Sequence, residues 1–318
     1  MAFVGTGDHS ASPVMETGFL IESEPTSEKI KAAIIATKAQ QMHTAVKQVA
    51  ARLNTSSTLF ILCNGVLSVL PQVLDTLASC GSQRPTVVIG HTSHGVHRYP
   101  AEDSPHPIWK HAGQGSIACA ETKQMQHKQP EHVNDSNSLL ESLQKCKELG
   151  VRRVSIDDWI DGALGKLAVN CAVNAATALI EDRNGALLSA SAMPFLNAIT
   201  KEVNSVLSAQ ITCEFIGKTM GSQTFAQRNS LGQAQLLQRT IEVLHTTRDN
   251  VSSTLADYLR YASSNKGVMK QDEDWTELRH LNGYISKLGQ LSGIPTPLND
   301  ALASLVDTKF HAAVASSQ

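Results

Sequence analysis

Lys166, Asn170 and Asn174 recur at every fourth position within GKLAVNCAVNAATAL, residues 165–179. At about 100° per helical residue, each step of four drifts by only about 40°, so a cation and two amides share one helix face. The remaining residues are almost all Leu, Ala, Val and Cys, and much of such a helix is expected to be buried. A buried ammonium is costly unless something negative meets it. An anionic or ketonic ligand would supply that partner. A lone lysine usually snorkels to water and a lone asparagine usually bonds nearby backbone. Three polar residues on one face of an apolar helix point instead to a bound small molecule.

A second constellation lies in NVSSTLADYL (250–259) and WTELRHLNGYISKLGQLSGIPTPLNDAL (275–302), where Asn250, Ser252, Ser253 and Glu277 are candidate ligands. The serines read equally well as a helix N-cap, and Glu277 as a first-turn carboxylate facing a helix dipole. Spacing alone does not break that tie. His91, His94 and His97 fall three apart in GHTSHGVHR. They lie in a glycine-containing stretch without nearby Cys or carboxylate, so no metal site is expected.

The elements that position these residues change character along the chain. KAAIIAT (31–37), TLFILC (58–63) and PTVVIG (85–90) are short apolar runs. Helical patterns follow the first two, one through Met42, Val46, Val49 and Leu53 and one over about residues 67–78. That alternation predicts βαβ units on a parallel sheet. SIACAE (116–121) follows a Gly-, His- and Pro-rich loop, and a further helix is expected over 138–149 after the polar stretch HKQPEHVNDSNS. Beyond about residue 153, helices are predicted over 157–182, 193–210, 232–247 and 274–292, with a last one from Pro297. The expected organisation is a Rossmann-like α/β domain over 1–153 followed by an all-α domain over 154–318.

Hydrophobic residues make up 42% of the 318 and charged residues 18%, a globular composition. A net charge of -2 without a Lys/Arg cluster argues against a nucleic-acid or anionic-membrane surface. The six cysteines are scattered, which suits reduced thiols inside a cell. The most apolar window, TLFILCNGVLSVLPQVLDTL, is interrupted by Asn64 and Pro71 and is not expected to span a membrane. No secretory signal is visible, and the acidic ESEPTSE speaks against a mitochondrial transit peptide, so a cytoplasmic location is expected.

KLAVNCAVNAATAL, NVSSTLAD, TELRHLNGY and GIPTPLNDAL together resemble the C-terminal domain of ketopantoate reductases (2-dehydropantoate 2-reductases). AAIIATKAQQMHTAV, TLFILCNGVL, VVIGHTSHGVHR and HAGQGSIACAE are similar to that family's later nucleotide-domain strands. The likeness runs in family order over about residues 30–310. It implies NADPH-dependent reduction of ketopantoate to pantoate, in a cleft between a Rossmann domain and a helical one. By this resemblance Lys166 is the general acid that protonates the developing C2 alkoxide, and Glu277 is the carboxylate that binds the substrate hydroxyl. Asn170, Asn174 and Ser253 hold the substrate's oxygens, with Ser253 at its carboxylate. Lys38 and Asn64 sit at strand ends beside the cofactor. A small 2-oxo acid is then the expected partner.

The resemblance breaks at the start. A phosphate-cradling G-x-G-x-x-G loop needs a helix directly behind it. FVGTGDHS offers Gly5 and Gly7, but Pro13 and Gly18 leave about one helical turn between them. The first βαβ unit is therefore expected to be missing, with much of the NADPH-binding energy. A sheet edge would then be exposed, to be covered by a second copy of the chain or another partner. The alternative is a non-catalytic relative, a binding or scaffold protein that has lost its cofactor loop.

Overall fold

The computed structural model describes residues 2–4, 14–15, 27–80, 84–99, 108–122, 135–227, 232–263 and 276–315. Its strands are β1 (Ala2–Val4), β2 (Val14–Met15), β3 (Ala32–Ile35), β4 (Thr58–Leu62), β5 (Thr86–Thr92), β6 (Gly95–Tyr99), β7 (Ile108–Gly113), β8 (Ile117–Glu121) and β9 (Val151–Arg153). Helices α1 (Ala39–Ala50), α2 (Val66–Ser79) and α3 (Asp135–Lys145) accompany them. Five strands form the main sheet in the order β3-β4-β5-β8-β9. β3, β4 and β5 run parallel, with Ala32 beside Thr58 and Thr58 beside Thr86. The unbroken apolar run of β4 follows from this place, since a central parallel strand is covered on both faces.

β8 departs from the expected all-parallel arrangement. It runs antiparallel to β5, with Ile89 opposite Ala120, and parallel to β9. Among the described residues, no crossover helix lies between β5 and β8. The chain between them forms the antiparallel pair β6–β7, and a parallel neighbour requires a longer crossover. The stretch read as a loop thus carries two strands, which join β1 and β2 in a second sheet of order β2-β1-β7-β6. Gly5 and Gly7 lie outside the described residues, as does most of the stretch between Tyr258 and Glu277. Among the described strands, β3 pairs only with β4, and Ile34 on it is 47% exposed.

The second half is helical: α4 (Ile156–Ile180), α5 (Met193–Leu207), α6 (Gln210–Met220), α7 (Gln233–Thr246), α8 (Ser253–Ser263), α9 (Asn282–Ser292) and α10 (Pro297–Ala315). Ser155 caps α4 by accepting from the Asp158 amide at 3.1 Å, and Asp157 and Asp158 complement the dipole of its first turn. α4 is long and apolar enough to cross a membrane by length and composition, yet it is buried at the centre of the other helices. The continuous helix expected over 274–292 is broken: a 3-10 turn, Glu277–His280, precedes α9, and Leu281 leaves helical geometry at φ -113 and ψ -92. The helix expected over 193–210 ends at Leu207, where Ser208 and Ala209 separate α5 from α6.

A continuous apolar core runs from Leu59 and Ile61 in the sheet, through Trp159 and Ile160, to Val203 and Val306 among the helices. Trp159, 1% exposed, also donates from Nε1 to the Ala118 carbonyl at 3.2 Å, tying α4 to β8. A smaller core of Phe60, Val88, Cys119 and Leu140 fills the other sheet face beneath α3.

Candidate active site

The C-terminal ends of β4 and β5 open onto one face of α4. Between them lies a cleft lined by Cys63, Asn64, His91, Trp159, Lys166, Asn170 and His280, among others. Strand ends of an open α/β sheet are where such a fold keeps its ligands. Lys166 is partly buried there, and its Nζ donates to the Thr92 carbonyl at the end of β5, at 2.6 Å. Burial holds its ammonium below the ordinary lysine pKa, with Glu277 and then Cys63 opposing that shift.

Glu277 is 5% exposed in its 3-10 turn. Burial raises its pKa, opposed chiefly by the charge of Lys38 and then by the Asn64 side chain. Asn64 Nδ2 donates to Glu277 Oε2 at 3.4 Å, across the two halves of the molecule. Lys38, the N-cap residue of α1, forms an ion pair with Asp257 on α8. Asp257 also accepts from Arg260 Nη1 at 3.2 Å.

The structure separates the two serines. Ser252 is the cap: its Oγ accepts from the Leu255 amide at 3.2 Å and from the Thr177 hydroxyl at 2.7 Å. Ser253 Oγ instead accepts from Asn174 Nδ2 at 3.1 Å. Asn174 and Ser253 lie beyond the cleft lining, because Asn174 is two turns, about 12 Å, along α4 from Lys166. Asn170 spans the interval and lines the cleft. Asn250 serves the scaffold through its carbonyl, which accepts from the Asn184 amide at 3.0 Å.

The approach of the two halves depends on Gly65. Its φ of 74° suits glycine, and a Cβ there would come within 2.9 Å of His280 Cβ. Ser68 Oγ and His280 Nδ1, 2.7 Å apart, close the same contact.

The three spaced histidines take different places. His91 lines the cleft, its ring 5.6 Å from that of Trp159. His94 belongs to the scaffold: Nε2 donates to the Leu149 carbonyl at 3.0 Å, while Nδ1 accepts from the Gly115 amide at 3.1 Å. His97 lies on β6.

Sequence reasoning missed Cys63, His91, Trp159, His280 and Asp257. Asp257 could have been found, since it stands four residues after Ser253 on one helix. Cys63 is pushed up to about 12 by burial and then by Glu277, so its thiol is inert at neutral pH.

Residues 5–124 match the family model described as ketopantoate reductase PanE/ApbA, and residues 158–310 match its C-terminal counterpart. The 2-dehydropantoate 2-reductase of Saccharomyces cerevisiae is 25% identical over 264 residues, covering 80% of this chain and 66% of that one. The Vibrio cholerae 2-dehydropantoate 2-reductase is 30% identical over 144 residues, covering 45% of this chain and 38% of the other. The chain thus spans less than two-thirds of each of these relatives. Among solved structures, a D-mandelate dehydrogenase with NADH and anilino(oxo)acetate superposes with a TM-score of 0.68 at 17% identity, covering 95% of this chain and 83% of that one. With both halves matched in order by the same family's models, the chain belongs to the ketopantoate reductase PanE/ApbA family.

Proposed function

We propose that the protein reduces a small 2-oxo acid, 2-dehydropantoate foremost, to the 2-hydroxy acid at the expense of NADPH, as a soluble cytoplasmic enzyme. The observation that carries this reading is the Lys166 ammonium, held at 2.6 Å from a peptide carbonyl at the mouth of a cleft between sheet and helices. The relatives named for 2-dehydropantoate reduction support it. In this reading residues 1–153 form the nucleotide domain and 154–318 the substrate domain.

The residues at the end of β3 fit a dinucleotide. Among the described residues, Thr37 Oγ1 and Gln40 Oε1 are buried without a hydrogen-bond partner on either side of Lys38, and the first turn of α1 has no side-chain cap. A polar ligand there would satisfy all of them. Asn64 and Lys38 are the residues that would hold it. When bound, the reduced nicotinamide supplies a hydride to C2 of the substrate.

Lys166 does the rest at the carbonyl oxygen. Its ammonium leaves the Thr92 carbonyl, stabilises the negative charge developing on the C2 oxygen, and gives up a proton to it. The lowered pKa makes it a stronger acid for this transfer than an exposed lysine. Asn170 orients the oxygen and the adjoining carboxylate from the same helix face, and Asn174 with Ser253, bonded to each other farther along α4, bounds the far end of the substrate site. Glu277 accepts from the substrate hydroxyl, with the Asn64 amide fixing the other side of its carboxylate.

The test is steady oxidation of NADPH in the presence of 2-dehydropantoate. The reading expects turnover in the wild type, loss of it in Lys166→Ala, and a rise in melting temperature with NADPH in both. Absence of turnover and of any NADPH-induced shift overturns it. The edge of β3, which pairs only with β4 among the described strands, gives the scaffold alternative its foothold; that alternative expects partner capture indifferent to Lys166→Ala.

A further inference from the structure

Two glycines three apart, Gly162 and Gly165, interrupt α4 just ahead of Lys166. Each admits a polar side chain from outside the helix. A Cβ at position 162 would lie 3.0 Å from Nε2 of His91, at the end of β5. A Cβ at position 165 would collide with the guanidinium of Arg239, on α7. Both side chains are partly buried, and both halves of the molecule contribute one. His91 lines the cleft with Trp159 and Lys166, and Arg239 stands about one turn along α4 from it, outside that lining.

Among the described residues, neither the His91 ring nitrogens nor the Arg239 guanidinium makes a hydrogen bond or ion pair. A guanidinium carries five N–H donors, and covering it without an acceptor is costly. Among the described residues, the charges that reach His91 are those of Lys166, Arg239 and Arg152, all cations. Burial, with those three charges after it, holds His91 down to about 4, so its ring is neutral near pH 7 and donates without competing for the anion. Under the reading above, Lys166 and Asn170 are committed to the ketone oxygen and the carboxylate beside it. Arg239 and His91 are left over.

We infer that His91 and Arg239 form a second carboxylate-binding subsite beside Lys166, and that 2-oxo dicarboxylates are a further substrate class of this cleft. The planar guanidinium fork takes the distal carboxylate in a bidentate grip, and the imidazole N–H adds a third bond. The reaction keeps its balance: C2 gains a hydride from the reduced nicotinamide, the C2 oxygen gains a proton from Lys166, and a 2-hydroxy dicarboxylate and the oxidised nucleotide leave. The inference rests on the proposed reductase reading and extends its substrate range.

The experiment compares two five-carbon acids, 2-oxoglutarate and 2-oxovalerate, which differ by the distal carboxylate. Binding of each is measured by calorimetry on wild type, Arg239→Leu, Arg239→Lys and Gly165→Ala, with 2-dehydropantoate turnover followed in the wild-type preparation. Wild type is expected to bind 2-oxoglutarate about tenfold or more tightly than 2-oxovalerate, the scale of hydrogen bonds to a charged group. The ratio falls towards one in Arg239→Leu, recovers in part in Arg239→Lys, and falls in Gly165→Ala, where the guanidinium is displaced but the chain keeps its arginine. A wild-type ratio near one, an unchanged ratio in Arg239→Leu, or no measurable binding of 2-oxoglutarate overturns the subsite. If 2-dehydropantoate still turns over in that case, the reductase reading stands alone; if it does not, both fall.

Discussion

The helical half and the sheet half supply the cleft by different means. Lys166 and Asn170 sit on one 25-residue helix, with Asn174 farther along it, whose position is set by helices on every side. Ser253 and Glu277 come from elements packed against that helix or its neighbours. Lys38, Asn64 and His91 instead stand at or just beyond strand ends, where placement depends on which strand lies next to which. One side of the cleft is thus fixed by packing, the other by topology. Of that second side, the outer edge of β3 is free of any described strand.

The contrast can be broken most sharply at Lys166. Replacing it with alanine should lower kcat by about 10²–10⁴-fold, the range of a lost general acid, with the fold retained by circular dichroism. The wild-type rate should also fall as pH rises through the Lys166 pKa, which burial places below 10.5, because the unprotonated amine has no proton to give. Packing is tested next by Trp159→Ala, which should cost about 3–5 kcal/mol in denaturant unfolding, since it empties a site shared by both halves.

Glu277→Gln should raise KM for 2-dehydropantoate about tenfold or more, the worth of a charged hydrogen bond. In the wild type, KM should rise as pH falls through the Glu277 pKa, which burial lifts above 4.5, because protonation removes the acceptor; the glutamine variant should lose that acid limb. Lys38→Met should weaken NADPH binding, read by fluorescence titration, by a smaller factor, since Asp257 keeps Arg260 as a partner and the site does not collapse. At the small end, Ile34→Ala on the open edge should change stability by under about 0.5 kcal/mol. A large loss there would mean that the edge is covered after all.

Legibility in the sequence followed the same divide. The every-fourth spacing of Lys166, Asn170 and Asn174 placed three side chains on one face of α4, because helical periodicity is local. The apolar runs of β4 and β5 were equally readable, as buried parallel strands. His91 was not, since its neighbours Trp159 and Gly162 are about seventy residues away in the chain and only the packing of α4 across β5 joins them. The reversal of β8 was hidden for a related reason: nothing in SIACAE states its direction, which is decided by the short return through β6 and β7. The break ahead of α9 was hidden because Glu277 to Ser292 is apolar at helical spacing, and one residue, Leu281, departs from it.

The bond from Lys166 to the Thr92 carbonyl has a consequence for the resting protein. A charge parked on a neutral peptide oxygen is solvated by the fold itself, and among the described residues the ammonium is in no ion pair that an incoming anion would have to break. In the proposed reaction, arrival of a keto group swaps one oxygen for another of the same kind, at nearly the same reach. Under the proposed reading the cleft is in this sense already rehearsing the complex, with the ammonium at working distance and little of the binding energy diverted to moving it there.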